Sequence, residues 1–374
     1  AAFHQENLQR ARRWPHAMLA SSTHDSKRSE DVRARLCALS EMPEDWHRAL
    51  ASWSRLNRSK RRKLGDERAP SANDEYLLYQ TLLGVWPFDA PDAAGLAQLS
   101  DRIEAYMTKA VREAKVHSSW ISPDPDYEDA TRDFVRALLA PEPGNVFLRD
   151  FLPFQQRVAR AGAFNSLSQV LLKLVSPGVP DLYQGCELWD FSLVDPDNRR
   201  PVDYARRHAA LQAIKAAHAE RGAAACASEL LERMEDGEIK LYLTWKTLGF
   251  RRDCEQLFGD GDYLPLRTGG MHADRVCAFA RQDGGEALVL VVPRLIGGFL
   301  GEQGRLPLGD TVWGDTWVEL PPERVHAQWT NVLTGQTVVT QRLGESQGLA
   351  LAQVFATFPY ALLHAQGNSG EEPA

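Results

Sequence analysis

The stretch "MLASSTHDSKRSEDVRARL", residues 18–36, decides how the chain is expected to fold. Its first residues are small or apolar and favour a strand, whereas its last residues are charged and have helical spacing. Ser29 stands where a helix N-cap is expected, and Val32 begins an apolar i, i+4, i+7 stripe. His24 and Asp25 lie side by side between the strand and the helix. The stretch therefore predicts one strand–helix repeat of an α/β fold with a polar corner.

The composition is that of an ordinary globular protein. Of the 374 residues, 44% are hydrophobic and 25% are charged, and the length suits two or three domains. A net charge of −7 argues against a nucleic-acid partner, and no apolar run is long enough to cross a membrane. The five cysteines are odd in number and widely spaced, which predicts free thiols in a reducing cytoplasm. The basic run "RLNRSKRRKL" (residues 55–64) favours a solvated helix face over a phosphate-binding patch.

The pattern of the sequence changes several times along the chain. Residues 1–40 contain the strand–helix repeat, and residues 41–145 show helical patterns without a convincing strand, which predicts a helical insertion. Residues 146–235 contain a long helix, the apolar run "LLKLV" that we interpret as a second buried strand, and another helix. Residues 236–366 predict an antiparallel β domain, a small sandwich that includes a hairpin around a Gly-Gly turn. Residues 367–374 are expected to be a disordered tail.

Two parallel strands are too few for a complete α/β fold. A parallel sheet exposes two apolar faces and needs several strands with covering helices. The chain is therefore interpreted as the later part of a larger α/β protein, or as a piece that needs a partner.

The short motifs of common catalytic sites give little guidance. His24 and Asp25 would need further histidine and aspartate ligands to form the metal site of a phosphohydrolase. The segment "DPDNRRP" (residues 195–201) begins like a calcium loop but lacks glycine at its sixth position and has Arg206 where glutamate is required. The chain contains no G-x-S-x-G elbow, no P-loop and no G-x-G-x-x-G. The sequence thus predicts neither a metal nor a cofactor.

Polar residues that follow both predicted strands indicate a different site. In a barrel of alternating strands and helices, residues at the C-terminal ends of the strands form the active site. The mixture of carboxylates, amides, arginines and aromatic rings suits a sugar. The residues after the two strands are Thr23, His24, Asp25, Lys27 and Arg28, and then Asp181, Tyr183, Gln184, Glu187, Trp189, Asp195, Asn198, Arg199 and Arg200.

Four segments together resemble the maltooligosyltrehalose synthases, which are part of the α-amylase family. They are "STHDSKRSEDVRARL", "REAKVHSSWISPDPDYE", "PGVPDLYQGCELWDFSLVDPDNRRPVDY" and "GDYLPL", and they occur in the family's order over nearly the whole chain. Ser26 and Cys186 stand where the family has threonine, and neither change removes a titratable group.

The resemblance implies a fold and a reaction. The fold would be the C-terminal part of a (β/α)₈ barrel, with strands 7 and 8, a helical insertion between them and a C-terminal β sandwich. The reaction would convert the reducing-end α-1,4 bond of a maltooligosaccharide into an α,α-1,1 bond by intramolecular transglucosylation. This is a retaining double displacement with a carboxylate nucleophile and a carboxylic acid/base. The released glucose must be held in a closed pocket that excludes water.

The resemblance also implies roles for individual residues. Asp25 corresponds to the family's third catalytic carboxylate, which holds the hydroxyls of the transferred sugar, and His24 would bond the same hydroxyls. The remaining residues of the predicted substrate site would line or brace the pocket. They are Lys27, Arg28, Lys115, Trp120, Tyr127, Tyr183, Glu187, Asp195 and Arg199.

The family's nucleophile and acid/base have no counterpart in this sequence. They lie on the fourth and fifth barrel strands, so we expect them in an N-terminal part of the enzyme that this chain lacks, and we expect the chain alone to be inactive. Two alternatives remain open, an α-glucan hydrolase of the same family and a non-catalytic glucan-binding module. A reducing-end assay separates the hydrolase from the synthase, and calorimetry with a maltooligosaccharide tests the binding module.

Overall fold

The fold is taken from a computed structural model that describes residues 2–301, 305–321, 326–343 and 346–366. The predicted disordered tail, residues 367–374, lies outside the described residues. No helix within the described ranges combines the length and the apolar character that a membrane crossing requires.

The helices and strands are named here in chain order. The helices are α1 Ala2–Arg13, α2 Glu30–Ala38, α3 Pro43–Asn57, α4 Ala72–Val85, α5 Ala93–Ala114, α6 Pro125–Leu139, α7 Val146–Val175, α8 Tyr204–Glu232, α9 Glu238–Asp253, α10 Glu255–Gly259, α11 Gly297–Leu300, α12 Asp310–Trp313 and α13 Leu351–Val354. The strands are β1 Met18–Leu19, β2 Arg62–Leu64, β3 Glu67–Ala69, β4 Val179–Pro180, β5 Asp262–Pro265, β6 Thr268–Gly269, β7 Val276–Asp283, β8 Glu286–Pro293, β9 Trp317–Glu319, β10 Gln328–Asn331, β11 Thr337–Val339, β12 Gln341–Leu343, β13 Ser346–Ala350 and β14 Ala361–Gln366.

The chain divides into two compact units. Unit 1 comprises residues 1–23, 163–189 and 201–374, and unit 2 comprises residues 24–162 and 190–200.

Unit 2 is helical and has an aromatic core. Side chains of Ser71, Asp92 and Asp124 accept backbone N–H groups at the starts of α4, α5 and α6, as N-cap residues do. Trp46 and Trp53 of α3 are seven residues apart and therefore share one face of the helix, which both bury. The ring of Trp46 stacks on Phe154 of α7, with centroids 6.0 Å apart. Packing of this apolar face holds the helices together.

Unit 1 contains a short parallel pair of strands. β1 pairs with β4, with Met18 opposite Val179 and Leu19 opposite Pro180. Both strands have only two residues, and the side chains of Met18 and Val179 are 70% and 48% exposed.

The rest of unit 1 is dominated by two antiparallel sheets. One has the strand order β11-β10-β14-β8-β7-β5 and the other the order β12-β13-β9-β6. Val289 and Val291 from the first sheet and Val318 and Leu349 from the second belong to one buried apolar cluster. The hairpin predicted around a Gly-Gly turn is confirmed, because β7 and β8 pair from Asp283–Glu286 onward across that turn.

The predicted strand "LLKLV" is wrong. Residues 171–175 form the last turns of α7, and the strand that follows is β4, which begins after Gly178. Leu171, Leu174 and Val175 are fully buried. A short run that is buried on every side lacks the alternation that distinguishes a strand from a helix.

Two further expectations need correction. Residues 238–259, which fall within the predicted β domain, form the helices α9 and α10, and the first strand of that region is β5, which begins at Asp262. The helical insertion contains a small hairpin, β2 and β3, although no strand was expected there. The basic run 55–64 is consequently not one helix face, because α3 ends at Asn57 and β2 begins at Arg62.

Candidate active site

The polar corner (residues 24–28) lies open to solvent. The Nε2 atom of His24 is 3.2 Å from Oδ2 of Asp25, and their side chains are 59% and 78% exposed. Helix α2 starts two residues after the corner, with Ser29 at the predicted N-cap position. The Ser29 hydroxyl does not cap the helix and instead donates to the backbone oxygen of Asp190.

The segment 190–200 holds the backbone of the corner. Asn198 donates from Nδ2 to the backbone oxygen of His24 over 3.0 Å. The N–H of Val194 donates to the backbone oxygen of Lys27 at 3.2 Å, and Arg28 forms an antiparallel bridge with Leu193. The structure therefore brings together two polar groups predicted from separate parts of the sequence, the corner and the "DPDN" residues.

A chain of ion pairs, here called the charge network, connects the corner to this segment. Lys27 donates to Oε2 of Glu113 over 2.9 Å, and Oε1 of Glu113 lies 3.6 Å from Nζ of Lys109. Lys109 also pairs with Asp195, and Oδ1 of Asp195 lies 3.3 Å from Nη2 of Arg199. The hydrogen bond and charge of Lys27, with the charge of Lys109, lower the pKa of Glu113. Three predicted site residues, Lys27, Asp195 and Arg199, thus lie in one network.

Helix α5 supplies the ion-pair partners of the corner and of segment 190–200 that sequence reasoning missed. Lys109 follows Arg102 by seven residues, and Glu113 follows it by eleven. At these spacings all three side chains lie on one face of the helix. Arg102 donates from Nε and Nη2 to the two carboxylate oxygens of Asp197 at 2.8 and 3.0 Å. This charged face, a signal present in the sequence, could have identified the three residues as partners of the loop.

A second carboxylate, Asp197, fixes the same loop from its buried side. Its Oδ2 atom also accepts the backbone N–H of Leu193 over 2.7 Å. Burial alone would raise the pKa of Asp197, but the hydrogen bonds and charge of Arg102 outweigh burial and lower it. Asp197 therefore remains ionised and orders the segment that carries Asp195 and Arg199.

The three predicted residues of the insertion have different surroundings. Lys115 is exposed in the left-handed conformation (φ 57°) at the end of α5. The Trp120 side chain is 57% exposed, and the Arg112 guanidinium lies 4.9 Å from its ring centroid. Tyr127 is 5% exposed and stacks on His117, with ring centroids 4.3 Å apart.

The Tyr127 hydroxyl is occupied by protein partners. It donates to Asp74 and accepts the N–H of Ser71 at 2.8 Å. Burial, followed by the hydrogen bond to Asp74, raises the pKa of Tyr127 to about 12. The sequence analysis expects Tyr127 either to line or to brace the substrate pocket, and these contacts suit the bracing role.

Tyr183 and Glu187 belong to unit 1. Glu187 accepts from Nε of Arg207 over 2.9 Å, and Nη2 of Arg207 donates to the backbone oxygen of Gly185 over 2.7 Å. Tyr183 is partly buried, and its backbone oxygen accepts the N–H of Cys186 at 3.0 Å. Their predicted contribution to the substrate site stays a prediction.

Metal-ligating side chains cluster elsewhere. In the described ranges, one group of three such side chains lies close enough to hold a metal ion, and it consists of Cys254, Glu286 and His364. None of the predicted site residues belongs to it.

Comparison with known proteins gives a consistent result. No family model matches the chain. A Mycobacterium tuberculosis protein named "Putative maltooligosyl trehalose synthase" is 33% identical over 363 residues, which is 97% of this chain and 39% of that protein. The chain is a relative of the maltooligosyltrehalose synthases. The maltooligosyltrehalose synthase from Arthrobacter ramosus has a similar structure, with a TM-score of 0.74, 32% identity, and coverage of 97% of this chain and 40% of that one.

A further solved maltooligosyl trehalose synthase matches with a TM-score of 0.69 and 29% identity, and 42% of its chain is covered. The predicted relationship to a C-terminal part of the maltooligosyltrehalose synthases is confirmed. The chain spans about 40% of the length of these relatives.

The corner offers groups that suit a sugar. Exposed carboxylate and imidazole atoms 3.2 Å apart can accept and donate hydrogen bonds to neighbouring hydroxyls. The hydrogen bonds from Asn198 and Val194 hold the backbone from which these side chains project.

Proposed function

We propose that this chain supplies part of the substrate site of a maltooligosyltrehalose synthase. The enzyme would convert the reducing-end α-1,4 bond of a maltooligosaccharide into an α,α-1,1 trehalose bond by intramolecular transglucosylation. One observation carries the proposal, namely the similarity to such synthases over 97% of the chain, both in sequence and in fold.

Asp25 acts as a carboxylate that is neither nucleophile nor acid. It accepts hydrogen bonds from hydroxyls of the transferred glucose, and these bonds strengthen as the ring flattens and gains positive charge. His24 bonds the same sugar. The exposure of both side chains and their 3.2 Å separation support this role.

The other predicted residues position the glucan and the released glucose. Trp120 presents an exposed ring suited to the C–H face of a sugar. Lys27 and Arg199 lie in the charge network and present their cations beside the corner. Arg28, Lys115 and Tyr183 complete the polar lining. The ion pair between Glu187 and Arg207 braces the loop after β4.

The chain works together with a further part of the same enzyme, which supplies the nucleophile and the acid/base. The pair β1–β4 supports this proposal, because parallel strands are normally buried on both faces and these two expose Met18 and Val179. We assign the pair to strands 7 and 8 of a (β/α)₈ barrel of the α-amylase type. The five free cysteines favour a cytoplasmic enzyme.

Assays of the chain alone and of a chimera test the proposal. Maltopentaose incubated with the chain alone should stay unchanged, and conversion to a non-reducing product would contradict the need for a further part. In the chimera, this chain replaces its counterpart in the Arthrobacter ramosus enzyme. The chimera should remove reducing ends without releasing glucose.

The same assays separate the alternatives. A chimera that increases the number of reducing ends would be a hydrolase. Tight binding of maltopentaose by the chain alone, measured by calorimetry, together with an inactive but folded chimera, would favour a glucan-binding module.

The variant Asp25→Asn in the active chimera tests the catalytic carboxylate. We expect turnover to fall about 100- to 1,000-fold, the cost of removing one group that stabilises charge in a transition state, while maltopentaose binding persists. Asp66→Asn is the matched control, because Asp66 is an exposed carboxylate in the turn of the β2–β3 hairpin. Full activity in Asp25→Asn would remove Asp25 from the catalytic set.

A further inference from the structure

Three potential metal ligands meet on one face of the six-stranded sheet of unit 1. Glu286 is the first residue of β8, and His364 lies in β14, opposite Leu288. Glu286 and Leu288 are two residues apart, so their side chains leave the same face of the sheet. Nε2 of His364 and Oε1 of Glu286 are consequently only 2.7 Å apart.

Cys254 joins this pair from the end of helix α9. It is the C-cap residue of that helix, and its thiol hydrogen-bonds to Glu286. One ligand atom from each of the three side chains lies within 4.8 Å of the other two. The site therefore combines a helix end with two neighbouring strands.

The surroundings shelter the three side chains without sealing them. The His364 and Glu286 side chains are 17% and 29% exposed. The ring of Phe250 packs edge-on against His364, with centroids 4.9 Å apart, and limits the orientations of the imidazole. A metal ion can reach this site from solvent and find its three ligands already close together.

The proposed substrate site does not require this arrangement. None of the three residues belongs to the predicted substrate site.

We propose that Cys254, Glu286 and His364 bind a zinc ion, with water as the fourth ligand. Thiolate, imidazole and carboxylate are all zinc ligands, and three protein ligands with one water form a tetrahedral site. The thiolate selects zinc over magnesium or calcium, which prefer oxygen ligands. The charges of the thiolate and the carboxylate balance the charge of the ion.

Binding needs movements of side chains rather than of the backbone. In a tetrahedral zinc site the nitrogen, oxygen and sulfur ligands lie about 3.3–3.6 Å apart. The pair now 2.7 Å apart must separate slightly and the sulfur must approach. The thiol proton is released to solvent as the zinc–sulfur bond forms, and the proton between His364 and Glu286 leaves their shared position.

His326 is a neighbour of this site. Burial first and then the charge of nearby His364 lower the pKa of His326. The site ties the end of α9 to β8 and β14, so zinc should stabilise this part of unit 1.

Metal titration of the full 374-residue chain tests the proposal. Chain stripped with a chelator and dialysed against zinc should retain one ion per chain. Cobalt(II) should produce a thiolate-to-cobalt charge-transfer band and the visible bands of a tetrahedral site. Chain that retains no zinc, or cobalt without the charge-transfer band, would overturn the proposal.

Variants assign the site. Cys254→Ser should abolish the charge-transfer band and weaken zinc binding at least about 100-fold, because even residues that only orient ligands change affinity 10- to 100-fold. Cys37→Ser is the matched control, since Cys37 is an exposed thiol in unit 2. Loss of the band in Cys37→Ser, or its survival in Cys254→Ser, would place the metal elsewhere and refute the assignment.

A second variant guards against a folding defect. Glu286→Gln keeps the size of the side chain and should also weaken zinc binding. Zinc should raise the Tm of the wild-type chain but not that of Glu286→Gln. Circular dichroism checks that Cys254→Ser and Glu286→Gln both fold. An equal rise in Tm with zinc in both proteins would contradict the site.

Discussion

Asp195 and Asp197 are two residues apart in the segment 190–200, yet their carboxylates have different surroundings. The Asp195 side chain is 36% exposed and belongs to the charge network with Lys109 and Arg199. The Asp197 side chain is 9% exposed and receives a bidentate bond from Arg102 and the N–H of Leu193. Asp197 is therefore the carboxylate that orders the loop, whereas Asp195 is the carboxylate that the loop presents to solvent.

The difference has a physical basis. Exposed ion pairs contribute little, because water already solvates both charges and salt screens them. A sheltered carboxylate that loses its partners has no water to replace them. We therefore expect the loop to depend strongly on Asp197 and weakly on Asp195.

Replacing Asp197 should have the largest effect. Asp197→Ala leaves Arg102 and the Leu193 N–H without their acceptor, and we expect a loss of about 2–3 kcal/mol in the free energy of unfolding. Urea unfolding measures the loss, and hydrogen exchange at Leu193 should become faster. Arg200→Ala is the matched control, because Arg200 reaches the same carboxylate from an exposed position (55%, 3.2 Å). An equal loss of unfolding free energy in both variants would contradict the prediction, because it would show that the sheltered contacts of Asp197 stabilise the loop no more than its exposed contact with Arg200.

Acid should reduce the contribution of Asp197. Its pKa in the folded chain lies below the ordinary value of 3.8, because Arg102 and the Leu193 N–H outweigh the effect of burial. The unfolded chain therefore takes up the proton first, so the stabilisation is present above pH 3.8 and is lost as the pH falls through the lower, folded-state pKa.

The measurement is the free energy of unfolding of the wild type and of Asp197→Asn across this range. The difference between the two should be constant near neutral pH and should shrink below pH 3.8. A difference that grows in acid would show that the carboxylate is destabilised in the folded chain.

Sequence patterns were informative where the structure is local. The N-cap position of Ser29, the start of α2 and the hairpin across the Gly-Gly turn were predicted correctly, because each is determined by residues close in the chain. The run "LLKLV" was assigned to a strand and is helical, since its burial on all sides is set by contacts distant in sequence.

The candidate site shows the same limit. Both Asp195 and Asp197 stand in "DPDN", and nothing local distinguishes the exposed carboxylate from the sheltered one. Their partners Lys109 and Arg102 are 86 and 95 residues away. The packing of α5 determines which basic residue pairs with which aspartate. The charged face of α5 was the one feature of the sequence that could have predicted these partners.

Replacing Asp195 should have a smaller effect that depends on the new residue. Asp195 has φ of 59°, the left-handed region, which asparagine adopts more readily than alanine. Asp195→Ala should therefore cost about 1 kcal/mol more than Asp195→Asn, which removes only the charge. Urea unfolding of the two variants gives this difference directly. Equal stability of the two variants would contradict the prediction, because it would show that the left-handed conformation at residue 195 does not penalise alanine relative to asparagine.

The pair of Lys27 and Glu113 should have the smallest effect on stability. The two side chains are 62% and 38% exposed, so their coupling in a double-mutant cycle of Lys27→Met and Glu113→Gln should be below about 1 kcal/mol at low salt. At 1 M salt the screening length is about 3 Å and the coupling should nearly vanish. A coupling that resists salt would place this pair with Asp197 among the sheltered contacts, and the charge network would then order the corner rather than only surround it.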